Sequence, residues 1–186
     1  MNWLGKNKMG LDMFLFRAKR YPNSNVLVSG EDIEVISNYL YTKENELPLS
    51  NKEKFELYPL DVVNFYKKEY DSEDNDYCCF KEVAYWRKAN AIHSWFVDNV
   101  QNGTDDCHIH NECTQEILEE LLNLCKKVRH SPVPYELLPT KHGFFFGDTE
   151  YDEWYFNWID ETIKMLEKIL KETDFKTYTI YYESRW

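Results

Sequence analysis

The chain has 186 residues, 43% of them hydrophobic and 30% charged, which is enough for one domain with a packed core. No run of 18 apolar residues occurs, so no transmembrane helix is expected. The 33 acidic residues against 22 basic ones give a formal net charge of −11, which disfavours direct nucleic-acid binding and favours a partner with a basic surface.

Segment 10–20 alternates, with Leu11, Met13 and Leu15 on one side and Asp12, Phe14 and Phe16 on the other. This predicts a strand partly buried on both faces, as a central strand is. Ile33, Ile36, Tyr39 and Leu40 have helical spacing and predict a short helix over 30–41. The stretch at about 42–80 is polar, holds Pro48 and Pro59 and ends in the acidic run "DSEDND". It reads as a variable excursion, with 61–70 ambiguous.

Segment 82–100 reads as a helix. Tyr85, Ala89, Ile92 and Phe96 form one stripe, and Trp86, Asn90, His93, Val97 and Val100 the stripe beside it, with Gly103 beyond the end. Segment 114–128 is a second amphipathic helix with Thr114 as its N-cap. "GFFFG" (143–147) predicts a short strand or turn before a long helix. Thr149 is the expected cap of that helix, Asp152 completes a capping-box-like pattern, and Trp154 and Trp158 belong to its buried face. Segment 176–186 reads as a closing strand rich in Tyr and Thr. The expected architecture is one α+β domain over 1–186, with a small, mostly antiparallel sheet and about three packed helices.

Several residues could carry function. Asn90 and His93 interrupt an apolar stripe, and buried polar groups need hydrogen-bond partners. Either they serve a structural network, or they face a ligand with Arg87 or Lys88 at the mouth of a pocket. Asp105 and Asp106 suit capping, an ion pair with Arg87, or a metal. The string "CHIHNEC" holds Cys107, His108, His110 and Cys113, but structural zinc sites usually take two ligand pairs from separate elements. No metal site and no cofactor is expected. The odd set of five cysteines and the absence of a signal-like start read as free thiols in a cytoplasmic protein. After the phenylalanines come Asp148, Glu150, Asp152 and Glu153. The helix dipole stabilises acids there. The same acids could meet a cation, a basic side chain or sugar hydroxyls beside a wall of Tyr151, Tyr155 and the Phe rings. Walker-type, dinucleotide, G-x-S-x-G and H-E-x-x-H patterns are absent.

The strings "MGLDMFLF" (9–16), "EVAYWRKANAIHSWFVDNVQNGTDDC" (82–107), "LLPTKHGFFFGDTEYDEWYF" (137–156) and "YYESRW" (181–186) occur in this order. Together they resemble a family of small accessory proteins of bacteriophages, prophages and other mobile elements, for which no activity is established. The likeness spans most of the chain outside roughly 20–80 and includes Tyr85, Trp86, Arg87, Lys88, Asn90, His93, Asp105, Asp106, Phe145, Gly147, Thr149, Glu150, Tyr151 and Asp152. The chain departs from it at "HIHNEC" and before Met9.

The resemblance implies a host-bacterial setting in which such proteins often counter defence. The favoured expectation is therefore a non-enzymatic inhibitor that binds a host defence protein, for example a CRISPR effector, through an acidic, aromatic-rich surface including Asp148, Glu150 and Asp152. The alternative is a pocket protein that binds or sequesters a nucleotide-like molecule. It places Arg87, Lys88, Asn90 and His93 on phosphate or base and stacks Tyr151 or Phe145. That reading needs a preformed pocket between segments 82–100 and 143–156. A third possibility is a metal-assisted hydrolase using His93 with Asp105, Asp106 or Glu150, which needs these side chains to converge.

Overall fold

The structure, a computed structural model, describes residues 10–23, 25–44, 58–70, 78–108 and 110–186. In chain order the elements are β1 (Asp12–Lys19), α1 (Gly30–Glu44), α2 (Leu60–Tyr70), β2 (Phe80–Arg87), α3 (Asn90–Asn99), β3 (Asn111–Cys113), α4 (Gln115–Arg129), α5 (Pro134–Leu137), α6 (Glu153–Glu172) and β4 (Tyr178–Arg185). The strands form one sheet in the order β2-β1-β4-β3, with every neighbouring pair antiparallel. The α+β class read from the sequence is the class of the structure, and the described residues contain six helices.

β1 lies inside the sheet, which explains its apolar residues on both sides. Met13 and Leu15 join Ala84, Trp86, Ile180 and Tyr182 in a core under α3, α4 and α6. Phe14, Phe16 and Ala18 join Phe80 and Tyr181 in a second core under α1 and α2. Each fully buried Leu or Ile in such a core stabilises the fold by about 1.5–3 kcal/mol. A register shift between Leu15 and Phe16 allows both cores to include β2. Leu15 pairs with Ala84 and Phe16 with Glu82, leaving Val83 as the extra residue. A bulge reverses which face the following side chains take. Phe80 therefore points to one core while Ala84 and Trp86 point to the other.

The helix starts have local causes. Ser29 and Asp32 cap α1 reciprocally: the Ser29 N–H donates to the Asp32 carboxylate at 2.8 Å, and the Asp32 N–H to the Ser29 hydroxyl at 3.2 Å. Thr114 caps α4 by accepting from the Ile117 N–H, as its sequence predicts. Leu118, Leu121, Cys125 and Val128 of α4 are buried, with Ile117 and Leu124 partly so. Lys126 and Arg129 of α4 pair with Glu167 and Asp160 of α6.

Three expectations are corrected. Segment 82–100 is the second half of β2, a corner, and the ten-residue helix α3. Tyr85, on the outer side of the strand, and Trp86, on the inner side, stand at helical spacing from Ala89 and Asn90 and so carry the stripes of α3 back into the strand. The cap of α6 is Asp152, whose carboxylate accepts from the N–H groups of Trp154 and Tyr155 at 2.9 and 3.2 Å; Thr149 lies upstream. Trp154 is 72% exposed, outside the buried face of α6. Of the polar stretch at about 42–80, residues 60–70 form α2, which packs against α1. Residues 45–57 and 71–77, with the acidic run, lie outside the described residues, as does Met9.

Candidate functional site

The chain leaves β2 through a corner at Lys88, whose φ of 59° is the left-handed conformation that costs a side-chain-bearing residue about 1–2 kcal/mol. Such strain persists only where the surroundings hold it. Here the Lys88 N–H donates to the Leu11 carbonyl at 2.7 Å, and the Leu11 N–H donates to the Phe145 carbonyl at 2.9 Å. Gly147 lies against the same corner with φ 88°, and a Cβ there would sit 3.0 Å from the Lys88 Cβ. The corner, the start of β1 and the phenylalanine segment are thus one bonded unit.

Asn90 fastens that unit. Its side-chain NH2 donates to the carbonyls of Phe146 and Asp148 at 3.1 and 2.7 Å, and its side-chain oxygen accepts from the Lys141 N–H at 3.0 Å. Both amide hydrogens and the oxygen are engaged by backbone, so Asn90 shapes the loop 141–148 and has no donor left for a ligand. The three phenylalanines form a turn: Phe146 is buried, Phe145 half-buried and Phe144 88% exposed.

Between the β2–α3 corner and the start of α6 lies a cleft of about 430 Å³. Ala89, Ala91 and Ile92 of the corner and helix α3 form one wall. Trp154, Tyr155, Trp158 and Ile159 of α6 form the other. Trp154 and Trp158 are four residues apart and so share one face of the helix. Arg87, Thr140, Gly147 and the exposed Lys88, Asp148, Glu150 and Asp152 complete the lining. Arg87 pairs with Asp12 at 3.1 Å, in place of the expected Asp105 or Asp106. Lys88 is exposed and has no ion pair among the described residues. Asp148 and Asp152 each accept backbone N–H groups through Oδ1. No side chain caps α3 at its start.

Six of the candidate residues line this cleft: Arg87, Lys88, Asn90, Asp148, Glu150 and Asp152. The rest lie elsewhere. Trp86 is fully buried and donates through Nε1 to the Thr162 hydroxyl at 2.8 Å, joining β2 to α6. The Tyr151 hydroxyl accepts from the Thr140 N–H at 3.0 Å. The backbone carbonyl of Asp106 accepts from the Gln101 side chain at 2.9 Å. Phe145 stacks on Trp186.

His93 sits in a closed network. Its Nδ1 lies 2.7 Å from the Tyr182 hydroxyl and its Nε2 lies 3.0 Å from Asp105 Oδ2. The other oxygen of Asp105 accepts from the Trp186 indole N–H at 3.3 Å. Burial pushes the His93 pKa below its ordinary value, against the opposing pull of Asp105. A neutral ring satisfies every contact, with Nε2–H donating to Asp105 and Nδ1 accepting from the Tyr182 hydroxyl. The pair His93 and Asp105 does converge, but His93 is 0% exposed and neither residue lines the cleft.

The zinc-competent string divides across the sheet. Cys113 is buried in the core with α4, while the His110 ring stacks on Phe80 at 4.2 Å in the other core's neighbourhood and approaches Glu183 at 3.2 Å. Among the described residues, no group of three His, Cys, Asp or Glu side chains is placed to hold a metal ion. No helix among them is long and apolar enough to cross a membrane.

Sequence reasoning reached the acids, the corner cations and Tyr155 but missed the rest of the apolar walls. The available signal was the Trp154 and Trp158 pair at helical spacing, which read equally well as core. No protein-family profile, no curated protein and no solved structure matches the chain.

Proposed function

We infer that the protein is a non-catalytic binding protein whose cleft takes a planar, aromatic small molecule of nucleotide-like size. The supporting observation is the preformed cleft of about 430 Å³ between the two segments that the pocket reading requires to be adjacent. Clefts of about 300–1,000 Å³ with apolar walls and few polar groups suit such ligands. The indoles of Trp154 and Trp158 offer stacking faces, and the polar mouth fixes orientation. Asn90 and His93, being occupied, act as supports rather than contacts, and Trp154 and Trp158 take the stacking role expected of Tyr151 or Phe145. In the mobile-element setting implied by the resemblance, such a protein withdraws a small molecule from a host cytoplasm. Native mass spectrometry after incubation with bacterial lysate tests this. The expected result is an adduct of roughly a few hundred daltons, a mass that fits a cleft of this size, and its loss in Trp154→Ala. Retention of the adduct by that variant, or no adduct at all, counts against the cleft.

The inhibitor reading retains one specific support. Phe144 at 88% exposure and Trp154 at 72% exposure stand beside Asp148, Glu150, Asp152 and Glu153, a combination suited to a basic protein surface. It requires a complex of protein mass that weakens with salt and with charge reversal at Asp148, Glu150 and Asp152. A complex indifferent to both changes places the contact elsewhere.

A further inference from the structure

Resting on the reading of the cleft as a ligand site, we propose that its ligand is an aromatic cation, or a ring carrying protonated amino groups, rather than a phosphorylated or carboxylated molecule. The walls come first. Indole faces attract cations through their quadrupole, and Trp154 and Trp158 present two along one helix face beside Tyr155.

The charge of the lining points the same way. Asp148, Glu150 and Asp152 bring three carboxylates. Asp148 and Asp152 use one oxygen each on backbone N–H groups, and among the described residues neither Oδ2 nor either oxygen of Glu150 has a hydrogen-bond partner. Against them stand Arg87, already paired with Asp12, and Lys88. The local balance is negative, within a chain whose formal net charge is −11. An anion entering here meets repulsion at the acidic rim and attraction from little besides Lys88 and the uncapped start of α3. A cation meets carboxylates at the rim and ring faces within.

Three probes with the same ring separate charge from shape: tryptamine, indole-3-ethanol and indole-3-acetate. Each is titrated into the intact 15N-labelled protein while the indole N–H signals of Trp154 and Trp158 are followed. The expected result is binding in the order tryptamine, ethanol, acetate, with at least a tenfold gap between the first and last. In the double variant Asp148→Asn, Glu150→Gln that gap shrinks severalfold; Asp152 is left intact because it caps α6. Equal affinities, or tighter binding of the acetate, overturn the cation assignment and leave the cleft as a ligand site. Failure of all three to move either indole signal at millimolar concentration removes the cleft reading and this inference with it.

Discussion

The side-chain amide of Asn90 donates to the main-chain carbonyl of Asp148 at 2.7 Å, so the first residue of α3 holds the acidic lip of the cleft in place. Asn90→Asp keeps the shape but turns two donors into acceptors facing the carbonyls of Phe146 and Asp148. A cost of about 2–4 kcal/mol is expected from lost hydrogen bonds and buried unsatisfied oxygen. Urea unfolding at neutral pH measures it. Amide exchange over 141–148 should accelerate more than exchange in α4, and a uniform change would contradict the local role.

Gly147 has φ 88° and leaves a Cβ only 3.0 Å from that of Lys88. Gly147→Ala is expected to destabilise by about 1–2 kcal/mol through left-handed strain alone, with further loss if the corner cannot shift. Lys88→Gly relieves the opposite side of the same contact and should leave stability unchanged or raise it by up to about 1 kcal/mol. Thermal unfolding of both variants provides the check.

Stability should decline on mild acidification. Burial lowers the pKa of both His93 and His110 below the ordinary 6.5, so the unfolded chain binds protons that the folded chain refuses. Their contribution is complete above that value and is lost as pH falls below it toward the depressed folded values. Tyr182 and Asp105 face His93, with Lys141 opposing its charge; Glu183 and Arg185 face His110. In His110→Phe, which keeps a ring on Phe80, the slope of unfolding free energy between about pH 7 and 5 should flatten. An unchanged slope would remove His110 from the account.

Deleting Val83 tests the bulge. Without the extra residue, either Phe80 or the pair Ala84 and Trp86 must face the wrong core. Loss of cooperative unfolding is expected, whereas Val83→Thr, which keeps the residue count, should cost no more than about 1.5 kcal/mol. Near-native stability of the deletion would show that the two cores do not depend on this register.

What could be read from the sequence follows from how local each cause is. The two-sided burial of β1, the Thr114 cap and the strand at 178–185 each follow from neighbouring residues, and they were legible. β2 was not, because the bulge that places Phe80 and Trp86 in different cores depends on a partner strand far away in sequence. Asn90 was visible as a polar residue on an apolar stripe, but its partners Phe146, Asp148 and Lys141 come from over fifty residues on. The acids of the cleft stood out by charge. Its walls did not, since Ala91, Ile92, Trp158 and Ile159 look like ordinary core until the space between them exists.

The pairing of β1 with β4, from Asp12 opposite Arg185 to Lys19 opposite Tyr178, sets when the protein can form. During synthesis β1 leaves the ribosome before β4 and has apolar side chains on both sides, yet its longest pairing waits for everything through Arg185. Pairings this distant in sequence fold slowly. Until β4 arrives, the nascent chain carries an open sticky strand, so chaperone binding to β1 and a yield sensitive to growth temperature are the expected costs of this topology.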